Sequence, residues 1–251
     1  MTTFKTAIVV GASSGIGECL VRQLAREGVT VAALARRSAE LERIVHDAGA
    51  DGKNIRPYAH DVTDFASVPG LFDRIRADLA GADGGVDLVV YNAGVMPVVA
   101  EGEYNFQKDH EMIAVNLLGA MAWLNPVAAD MEARRHGTIV GVSSVAGDRG
   151  RRGNPGYHTS KAALTTYLEA LRNRLSRYGV TVVTVKPGPV ATPMTKDLGK
   201  LPLLIQPVEA AAGILAHAKA GTVEGYVPAV WMPIMTIIRQ VPSFIFRRTN
   251  I

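Results

Sequence analysis

Short runs of apolar, mostly β-branched residues alternate along this chain with longer segments in which apolar positions recur every three or four residues. The first pattern is typical of strands buried on both faces, and the second is typical of helices that cover a sheet. The predicted strands are TAIVV at 6–10, VTVAAL at 29–34, NIRPYAH at 54–60, VDLVVY at 86–91, GTIVGVS at 137–143, VTVVTVKP at 180–187 and EGYVPAV at 224–230. The predicted helices lie near residues 15–27, 39–48, 64–80, 103–131, 155–178 and 207–219. This alternation, with right-handed crossovers, favours an α/β fold: a doubly wound parallel sheet of about seven strands with helices on both faces.

Composition adds a domain count and a cellular setting. The chain has 251 residues, of which 48% are hydrophobic, and no linker or low-complexity block divides it, so we expect one domain over residues 1–251. Cys19 is the single cysteine, which excludes an intramolecular disulfide. Because the first apolar run is not preceded by a signal-peptide layout, we expect a reduced, cytoplasmic setting.

Charge and histidine content bear on whether the protein binds nucleic acid or a metal ion. The net charge of +4 suits anionic partners, but the basic residues are scattered and not interleaved with aromatic residues, so we expect no nucleic-acid partner. The histidines lack the spacing of metal ligands, and no metal site is predicted.

Three glycines, Gly11, Gly15 and Gly17, stand between the first predicted strand and the first predicted helix. Glycine lets the chain turn sharply there, and the amides of a helix N-terminus attract the pyrophosphate of a dinucleotide. The spacing differs from the commonest dinucleotide fingerprint, and such a loop by itself is also compatible with a plain strand-to-helix turn.

The second predicted strand ends in Ala35, Arg36 and Arg37, and no acid follows until Glu40. A carboxylate at this point would bind the ribose 2'-hydroxyl of NAD(H), whereas an arginine suits the 2'-phosphate of NADP(H). The sequence therefore favours NADP(H) over NAD(H), with Arg36 as the expected contact. The alternative is a pair of exposed loop arginines, and it applies above all to Arg37.

Tyr157 and Lys161 are four residues apart in a predicted helix and so share one face. A phenol exchanges protons slowly at neutral pH unless a nearby positive charge lowers its pKa, and a lysine one turn away supplies such a charge. The pair alone is common on helix surfaces, so other motifs must decide its meaning.

Several motifs occur in a characteristic order: the glycine loop, HDV at 60–62, YNAG at 91–94, VNLLG at 115–119, VSSVAG at 142–147, YHTSK at 157–161 and KPGPVAT at 186–192. Together they resemble the short-chain dehydrogenase/reductase family over residues 5 to 192. The resemblance implies a Rossmann-like fold and hydride transfer between a nicotinamide cofactor and a carbonyl compound or secondary alcohol.

The resemblance also implies roles for particular residues. Tyr157 would be the general acid or base, Lys161 would lower its pKa and bind the nicotinamide ribose, Ser144 would hold the substrate oxygen, and Asn116 would support a water-mediated proton relay. For Asn116 the alternative is a buried amide satisfied by the backbone. Expected cofactor contacts are Gly11, Ser13, Ser14, Gly15, Ile16, Gly17, Arg36, Asp61, Val62, Asn92, Ala93, Gly94, Tyr157, Lys161, Pro187, Gly188, Val190 and Thr192.

Two positions depart from the family pattern. Tyr91 replaces the first asparagine of Asn-Asn-Ala-Gly, and Ser14 stands where many NADPH-using members carry a basic residue. The preference for the 2'-phosphate therefore depends chiefly on Arg36. By analogy with the family, we expect the helices near 103–131 and 155–178 to form a homodimer or homotetramer.

The segments after the last motif carry the expectations about substrate. Residues 193–220 begin with an apolar stretch that predicts either a substrate lid or helices packed on the sheet. Residues 229–251 form an apolar C-terminal extension that prolines and Arg239 interrupt, so it is not expected to span a membrane. It would contact anionic lipid peripherally, cover the substrate cleft or meet another subunit.

The loop before Tyr157 contains Arg149, Arg151 and Arg152, which form either a solvated loop or the rim of a site for anionic substrates. This loop and the tail also resemble family members that act on polyprenyl-phosphate-linked keto sugars. The leading hypothesis is therefore an NADPH-dependent oxidoreductase acting on an apolar or lipid-like carbonyl compound. The alternative is a non-catalytic NADP-binding sensor or scaffold on the same fold.

Overall fold

One sheet of seven parallel strands forms the centre of the computed structural model, which describes residues 2–79 and 84–249. The strands are β1 (Thr6–Val10), β2 (Thr30–Ala35), β3 (Ile55–Ala59), β4 (Leu88–Tyr91), β5 (Thr138–Val142), β6 (Thr181–Pro187) and β7 (Glu224–Val227). Their order across the sheet is β3-β2-β1-β4-β5-β6-β7. The predicted strands and the doubly wound arrangement are thus confirmed.

Helices follow nearly every strand, as the alternating pattern predicts. They are α1 (Gly15–Arg26), α2 (Ser38–Asp47), α3 (Val68–Leu79), α4 (Phe106–Ile113), α5 (Gly119–Arg134), α6 (Pro155–Leu175), α7 (Pro207–Ala220), α8 (Trp231–Gln240) and α9 (Ser243–Phe246). The helix predicted over 103–131 begins at Phe106 and contains a π-helical turn, Ala114–Leu118, between α4 and α5. The last residue of the helix predicted over 64–80 lies outside the described residues, as do residues 250 and 251 of the tail.

Apolar side chains fill the space between the sheet and a helical layer on each face. On one face, Leu20 and Leu24 of α1 and Ile214 of α7 belong to one buried cluster. On the other face, Trp123 of α5 and Leu168 of α6 belong to a second buried cluster. Because both faces are covered, the strands are almost continuously apolar rather than alternating.

Within the described part of the chain, one helical run, Phe106–Arg134, is long and apolar enough to cross a membrane. Trp123, Leu124 and Val127 in this run are fully buried against the sheet. Its apolar composition is accounted for by its place in the protein core.

The topology locates the candidate site. β1 pairs with both β2 and β4, for example through Ile8 with Ala32 and Val89, so the chain winds outward in opposite directions from this point. A crevice forms at the carboxyl ends of the strands where the winding reverses, and ligands of doubly wound proteins bind there.

Candidate active site

A cavity of about 720 Å³ lies at the carboxyl ends of the central strands and extends from the glycine loop to Tyr157. It brings together almost all the residues expected from the sequence. Those that border it are Gly11, Ser13, Ser14, Gly15, Ile16, Arg36, Asp61, Val62, Asn92, Ala93, Gly94, Ser144, Tyr157, Lys161, Pro187, Gly188, Val190 and Thr192. Gly17 and Asn116 do not line the cavity but contact residues that do.

The glycine loop is shaped by close backbone contacts. A Cβ atom on Gly17 would lie 1.9 Å from the Gly11 carbonyl oxygen, and one on Gly11 would lie 2.5 Å from the Ala93 nitrogen. The Asn92 side chain donates a hydrogen bond of 2.9 Å to the same Gly11 oxygen. Side chains at these glycines would therefore separate β1, β4 and α1, whose N-terminus faces the cavity.

The two arginines after β2 have different surroundings. The Arg36 guanidinium is 3.8 Å from the Asp61 carboxylate, and 64% of its side chain is exposed. Arg37 instead donates hydrogen bonds of 2.8 Å to Ser13 Oγ and 3.0 Å to Ser14 Oγ. Both arginines line the cavity. Arg37, which sequence reasoning left as a possible exposed loop residue, thus brings a positive charge to the glycine loop where Ser14 lacks one.

Asn116 lies in the π-helical turn and is fully buried. Its Oδ1 accepts a hydrogen bond of 2.8 Å from the Val95 amide, and its Nδ2 donates to the Val95 carbonyl at 3.0 Å and to Ser160 Oγ at 3.0 Å. The side chain therefore holds the segment that follows Gly94 beside α6. These contacts have the form of the alternative, a buried amide satisfied largely by the backbone.

Tyr91, at the end of β4, is the residue that departs from the family pattern, and its contacts show what it does there. Its hydroxyl is buried and donates a hydrogen bond of 2.6 Å to the Val115 carbonyl in the π-helical turn. Burial raises the pKa of the Tyr91 phenol, so it stays a neutral hydrogen-bond donor. A π-helical turn disturbs the regular helix ladder, and Tyr91 satisfies one of its carbonyls beside Asn116.

Ser144, Tyr157 and Lys161 approach the cavity from β5 and α6. Ser144 is the second residue after β5, and its Oγ accepts a hydrogen bond of 3.1 Å from the Ala146 amide. Lys161 is buried, lies 5.9 Å from the centroid of the Tyr157 ring and donates to the Val142 carbonyl at 2.9 Å. Ser143 Oγ instead donates to the Lys161 carbonyl at 3.0 Å, which joins the end of β5 to α6.

Asn154 fixes the start of α6, where Tyr157 lies in the first turn. Its Oδ1 accepts a hydrogen bond of 3.3 Å from the Tyr157 amide, and its Nδ2 donates to the Pro97 carbonyl at 2.9 Å. This cap satisfies an amide of the first helical turn. It also ties the segment after β4 to the helix that carries Tyr157 and Lys161.

Burial dominates the electrostatics of the tyrosine and the lysine. It raises the pKa of Tyr157, and the hydrogen bond with Ser144 offsets this only in part. It also lowers the pKa of Lys161 to about 8, because the ammonium is removed from water. A nearby lysine charge alone would lower the pKa of Tyr157, so the direction of this pKa shift is opposite to that expectation. The site therefore holds a protonated phenol beside a lysine whose pKa is about 8.

A buried ionic cluster supports the segment after Ser144. Lys186, at the end of β6, contacts Asp148 Oδ1 at 2.5 Å and Glu224 at 2.9 Å. The Tyr226 hydroxyl donates to Asp148 Oδ2 at 2.8 Å. Because Lys186 immediately precedes the Pro187-Gly188 motif, this cluster joins the Ser144 segment to the segment expected beside the nicotinamide.

The predicted lid, residues 193–220, consists of two parts with different surroundings. Pro193, Met194, Leu198 and Leu201 line the cavity, so this part has the position of a lid. The rest of the predicted lid, α7, packs in the core through buried residues such as Ile214 and belongs to the helical layer beside α1. The apolar periodicity did not separate these two parts because a lid and a core helix bury similar residues.

The C-terminal extension packs beside the site. Trp231 and Met235 of α8 are buried with Val145 and Tyr226. A Cβ on Gly188 would lie 2.0 Å from Trp231 Nε1, so the indole lies directly against the Pro187-Gly188 segment. Sequence reasoning missed this contact, and no local signal marks it because the two residues are far apart in the chain.

The cavity fits a nicotinamide dinucleotide. Glycine backbone and the N-terminus of α1 face one end, where two arginines supply positive charge, and Lys161 and Tyr157 stand at the other. Gly94 lies between Asn116 and Lys161, and a Cβ added there would be 3.5 Å from Lys161 Nζ. These features leave room for phosphates at one end and for a ribose and ring at the other.

Comparison with known proteins agrees with this arrangement. Residues 5–201 match the family described as short chain dehydrogenase. The chain is 41% identical over 193 residues to an uncharacterized oxidoreductase of Myxococcus xanthus, a match covering 77% of this chain and 75% of the relative. It is 32% identical over 221 residues to the 3-oxoacyl-(acyl-carrier-protein) reductase FabG of Escherichia coli, covering 88% and 84%.

Solved structures give the same result for the fold. A variant of actinorhodin polyketide ketoreductase, crystallised with NADPH, superposes with a TM-score of 0.77 at 27% identity, covering 89% of this chain and 96% of that one. Fold, family match and relatives therefore agree with the order of motifs in the sequence. The chain belongs to the short-chain dehydrogenase/reductase family and is an NAD(P)-dependent oxidoreductase.

Proposed function

We propose that this protein is an NADPH-dependent carbonyl reductase, or the corresponding alcohol dehydrogenase, for an apolar or lipid-like substrate. The observation that carries the proposal is the cavity that Ser144, Tyr157 and Lys161 share with the glycine loop and with Arg36 and Arg37. The non-catalytic alternative is not favoured, because a sensor or scaffold has no need of this set of proton-transfer groups.

The roles follow from the chemistry of each group. The bound nicotinamide cofactor supplies or accepts the hydride. The Ser144 and Tyr157 hydroxyls hold the substrate oxygen, and Tyr157 delivers the proton to it during reduction. The raised pKa of Tyr157 keeps the phenol protonated at neutral pH, so it carries the proton that it is to deliver. Lys161 stabilises the phenolate left behind, and Asn116 holds the segment after Gly94 in place.

The proposed preference for NADPH is supported by positive charge at the glycine-loop end of the cavity. Arg36 and Arg37 both border it, and Arg37 is held against Ser13 and Ser14 by hydrogen bonds. A guanidinium binds a phosphate through charge-assisted hydrogen bonds. The structure of the related ketoreductase holds NADPH, which is consistent with this assignment.

The proposed apolar substrate is supported by the lid. Pro193, Met194, Leu198 and Leu201 border the cavity. An apolar group beside the reacting carbonyl would be removed from water by these side chains. NADPH oxidation measured with a panel of short soluble ketones, acyl ketones, steroids and lipid-linked keto sugars would test this point. Faster turnover of the short soluble ketones would contradict it.

Three further proposals concern the setting of the protein. We propose a reducing cytoplasm, supported by the single cysteine. We also propose a homodimer or homotetramer built on α4–α5 and α6, by analogy with the family. Finally, we propose peripheral membrane contact through the C-terminal tail, where Ile237 and Phe244 are 68% and 62% exposed and Arg247 and Arg248 follow in the sequence.

Substitution of the proton-transfer groups tests the catalytic assignment. We expect Tyr157→Phe to lower kcat for carbonyl reduction by about 10²- to 10⁴-fold, because the proton donor is removed. Ser144→Ala should lower it by about 10²- to 10³-fold, because one donor to the developing oxyanion is lost. Steady-state NADPH oxidation measures both effects.

Tyr167→Phe provides the matched control for this test. Tyr167 lies on the same helix and bonds Asn125 on the surface at 2.8 Å, so its loss should leave kcat unchanged. Circular dichroism of each variant would show that the fold is kept. Wild-type kcat in Tyr157→Phe would refute the assignment of the proton donor.

A further inference from the structure

Helix α8 contacts the segment that follows β6 through its first residue, Trp231. Pro187 and Gly188 of that segment border the candidate active-site cavity, whereas Trp231 does not. A Cβ atom on Gly188 would lie 2.0 Å from Nε1, 2.6 Å from Cδ1 and 2.6 Å from Cε2 of the indole. The indole therefore occupies the space of a side chain at position 188, and the Gly188 backbone separates it from the cavity.

The sheet holds both partners of this contact. Gly188 continues the pairing of β6 with β7, since its amide donates a hydrogen bond of 2.9 Å to the Val227 carbonyl. The chain then turns directly into α8, where the Trp231 amide donates to the Pro228 carbonyl at 3.1 Å. This short connection brings the indole back over the end of β6.

The same indole also packs toward the Ser144 side of the cavity. Trp231 forms a buried cluster with Tyr226, Met235 and Val145. Val145 directly follows Ser144 and borders the cavity. One side chain of α8 is thus in contact with the segments that follow both β5 and β6.

Two arginines of the loop before Tyr157 contact the same helix. Arg149 donates hydrogen bonds to the Ile238 carbonyl at 2.6 Å and to the Arg239 carbonyl at 3.2 Å, at the C-terminal end of α8. A positive charge is favourable at that end of a helix. Arg151 Nη2 lies 3.6 Å from the Met235 sulfur. These contacts attach the loop to α8 along the length of the helix.

The nicotinamide ring of a bound cofactor belongs at the Tyr157 end of the cavity, because the hydride and the proton go to neighbouring atoms of one carbonyl group. The Ser143 amide donates to the Val185 carbonyl at 2.8 Å, so the ends of β5 and β6 are adjacent. Gly188 therefore lies beside the Ser144 segment. Its backbone forms a wall of the place where the ring binds.

The N–H group of the indole does not account for the presence of a tryptophan. Among the residues that the structure describes, Trp231 Nε1 has no hydrogen-bond partner, although it is buried. An unpaired buried N–H is unfavourable. The indole thus suits this position by its size and shape. Phenylalanine would keep much of that apolar volume, whereas alanine would remove it.

We propose that Trp231 is a positioning residue for the nicotinamide ring: it supports the Gly188 backbone from behind and so sets the distance of this wall from Ser144 and Tyr157. The effect reaches the ring through the backbone, without contact between the indole and the cofactor. This inference rests on the proposed function, because it takes the Tyr157 end as the place of hydride transfer. It gives a role to α8, which lies beyond the residues 5–201 that match the family.

Calorimetry with two nucleotides tests this role without turnover. NADPH is compared with 2'-phospho-ADP-ribose, which lacks the nicotinamide ring, and the measured quantity is the ratio of the Kd of this analogue to the Kd of NADPH. We expect the ratio to fall about tenfold in Trp231→Ala, because the wall that faces the ring loses its support. In Trp231→Phe the ratio should stay within about threefold of the wild-type value.

Leu175→Ala is the matched control. Leu175 is fully buried at the opposite end of α6 from Tyr157, so its truncation also leaves a cavity in the core but far from the site. Urea unfolding shows how far each variant is destabilised. Leu175→Ala should keep the wild-type ratio of Kd values. An equal fall in Leu175→Ala and Trp231→Ala would reduce the role of Trp231 to stability and refute the proposal.

Gly188→Ala tests the contact from the other side. The added methyl group would overlap the indole and force the segment to shift, so we expect the ratio to fall about tenfold. In the double variant with Trp231→Ala the methyl group has room, and the further loss relative to Trp231→Ala should be about threefold or less. Losses that simply add would contradict the proposal. So would a wild-type ratio in Gly188→Ala, even if Trp231→Ala did not fold.

Failure of the proposed function has a different signature. A wild-type protein that reduces no carbonyl compound would count against that function, while the ratio of Kd values still decides on Trp231. If NADH binds as tightly as NADPH, the cofactor preference fails, and the ratio is measured with NADH and ADP-ribose instead. With NADPH binding and ketone reduction intact, an unchanged ratio in Trp231→Ala would overturn this inference alone.

Discussion

At the scale of single residues, the surroundings of a side chain decide its role more than its identity does. Lys161 and Lys186 are both buried lysines, yet Lys186 is paired with two carboxylates and Lys161 faces the cavity with a carbonyl as its partner. Arg36 and Arg37 are adjacent, yet Arg37 is the one hydrogen-bonded to the glycine loop. Such differences set which groups are free to act on a ligand.

The arginines after β2 give a prediction about cofactor choice. We expect Arg36→Ala and Arg37→Ala each to lower the ratio of kcat/KM for NADPH to that for NADH by about ten- to a hundredfold, because each removes a charged donor to the 2'-phosphate. Arg26→Ala is the control and should leave the ratio unchanged. Steady-state kinetics with both cofactors measure it. If neither variant at Arg36 or Arg37 changes the ratio, the 2'-phosphate is bound elsewhere.

Lys161 gives a prediction about stability and pH in the cofactor-free protein. Its pKa is about 8 in the folded state and 10.5 when exposed, so the folded protein releases this proton first as pH rises. The unfolded chain then holds more protons, and the free energy of unfolding rises with pH. Between about pH 7 and pH 9.5, Lys161 should contribute a rise of about 2 kcal/mol.

Urea unfolding of the wild type and of Lys161→Met at both pH values measures this contribution. The variant should lack the rise and be the more stable protein at pH 7, because no ammonium is buried. Using the difference between the two proteins removes the effect of other groups that titrate in this range. An equal pH dependence in both would show that the Lys161 ammonium is not destabilised by burial.

At the scale of elements, the site depends on how closely the ends of strands and helices approach one another. Gly11 and Gly17 allow β1, β4 and α1 to meet, and Asn116 and Tyr91 join the π-helical turn to the segments around β4. The ionic cluster at Lys186 joins β6 and β7 to the Ser144 segment. The positions of the side chains proposed for catalysis therefore follow from these contacts between elements.

Glycine substitutions test the approach of α1 to β1. Gly17→Ala places a methyl group against the Gly11 carbonyl, so α1 must shift, and we expect a loss of about 2 to 3 kcal/mol in the free energy of unfolding and weaker NADPH binding. Gly70→Ala is the matched control. Gly70 lies in α3 with no atom within 4 Å of an added Cβ, so this change should stabilise the protein by about 0.5 to 1 kcal/mol.

Urea unfolding and fluorescence titration with NADPH measure these two variants. Equal stability of Gly17→Ala and the wild type would mean that α1 accommodates the methyl group without cost. The close contact at Gly17 would then not be what shapes the glycine loop.

At the scale of the whole molecule, the described residues leave apolar surface at the helices proposed for subunit contact. Phe106 is 79% exposed and Leu118 is 40% exposed, both on the run from α4 to α5. Association through this surface would remove these side chains from water.

The oligomer proposal predicts a mass in solution. Light scattering after size exclusion should give two or four times the 26.7 kDa of the chain. Leu118→Glu should shift the mass toward that of the monomer, because a charge would be placed in the interface. Val223→Glu, at an exposed position just before β7, is the control and should keep the wild-type mass. A monomeric wild-type protein would contradict the proposal.

The sequence by itself determined the order of the elements, the parallel sheet, the glycine loop and the spacing of Tyr157 and Lys161, whereas Ser144 was proposed from the resemblance to the family. These features depend on local patterns: strand and helix periodicity, glycine at a turn, and residues one helical turn apart. Contacts between distant segments were decided by the tertiary structure. It placed Arg37 on the glycine loop, α7 in the core and Trp231 against Gly188. Burial, which no single position encodes, also raised the pKa of Tyr157 where the nearby lysine alone predicted the opposite.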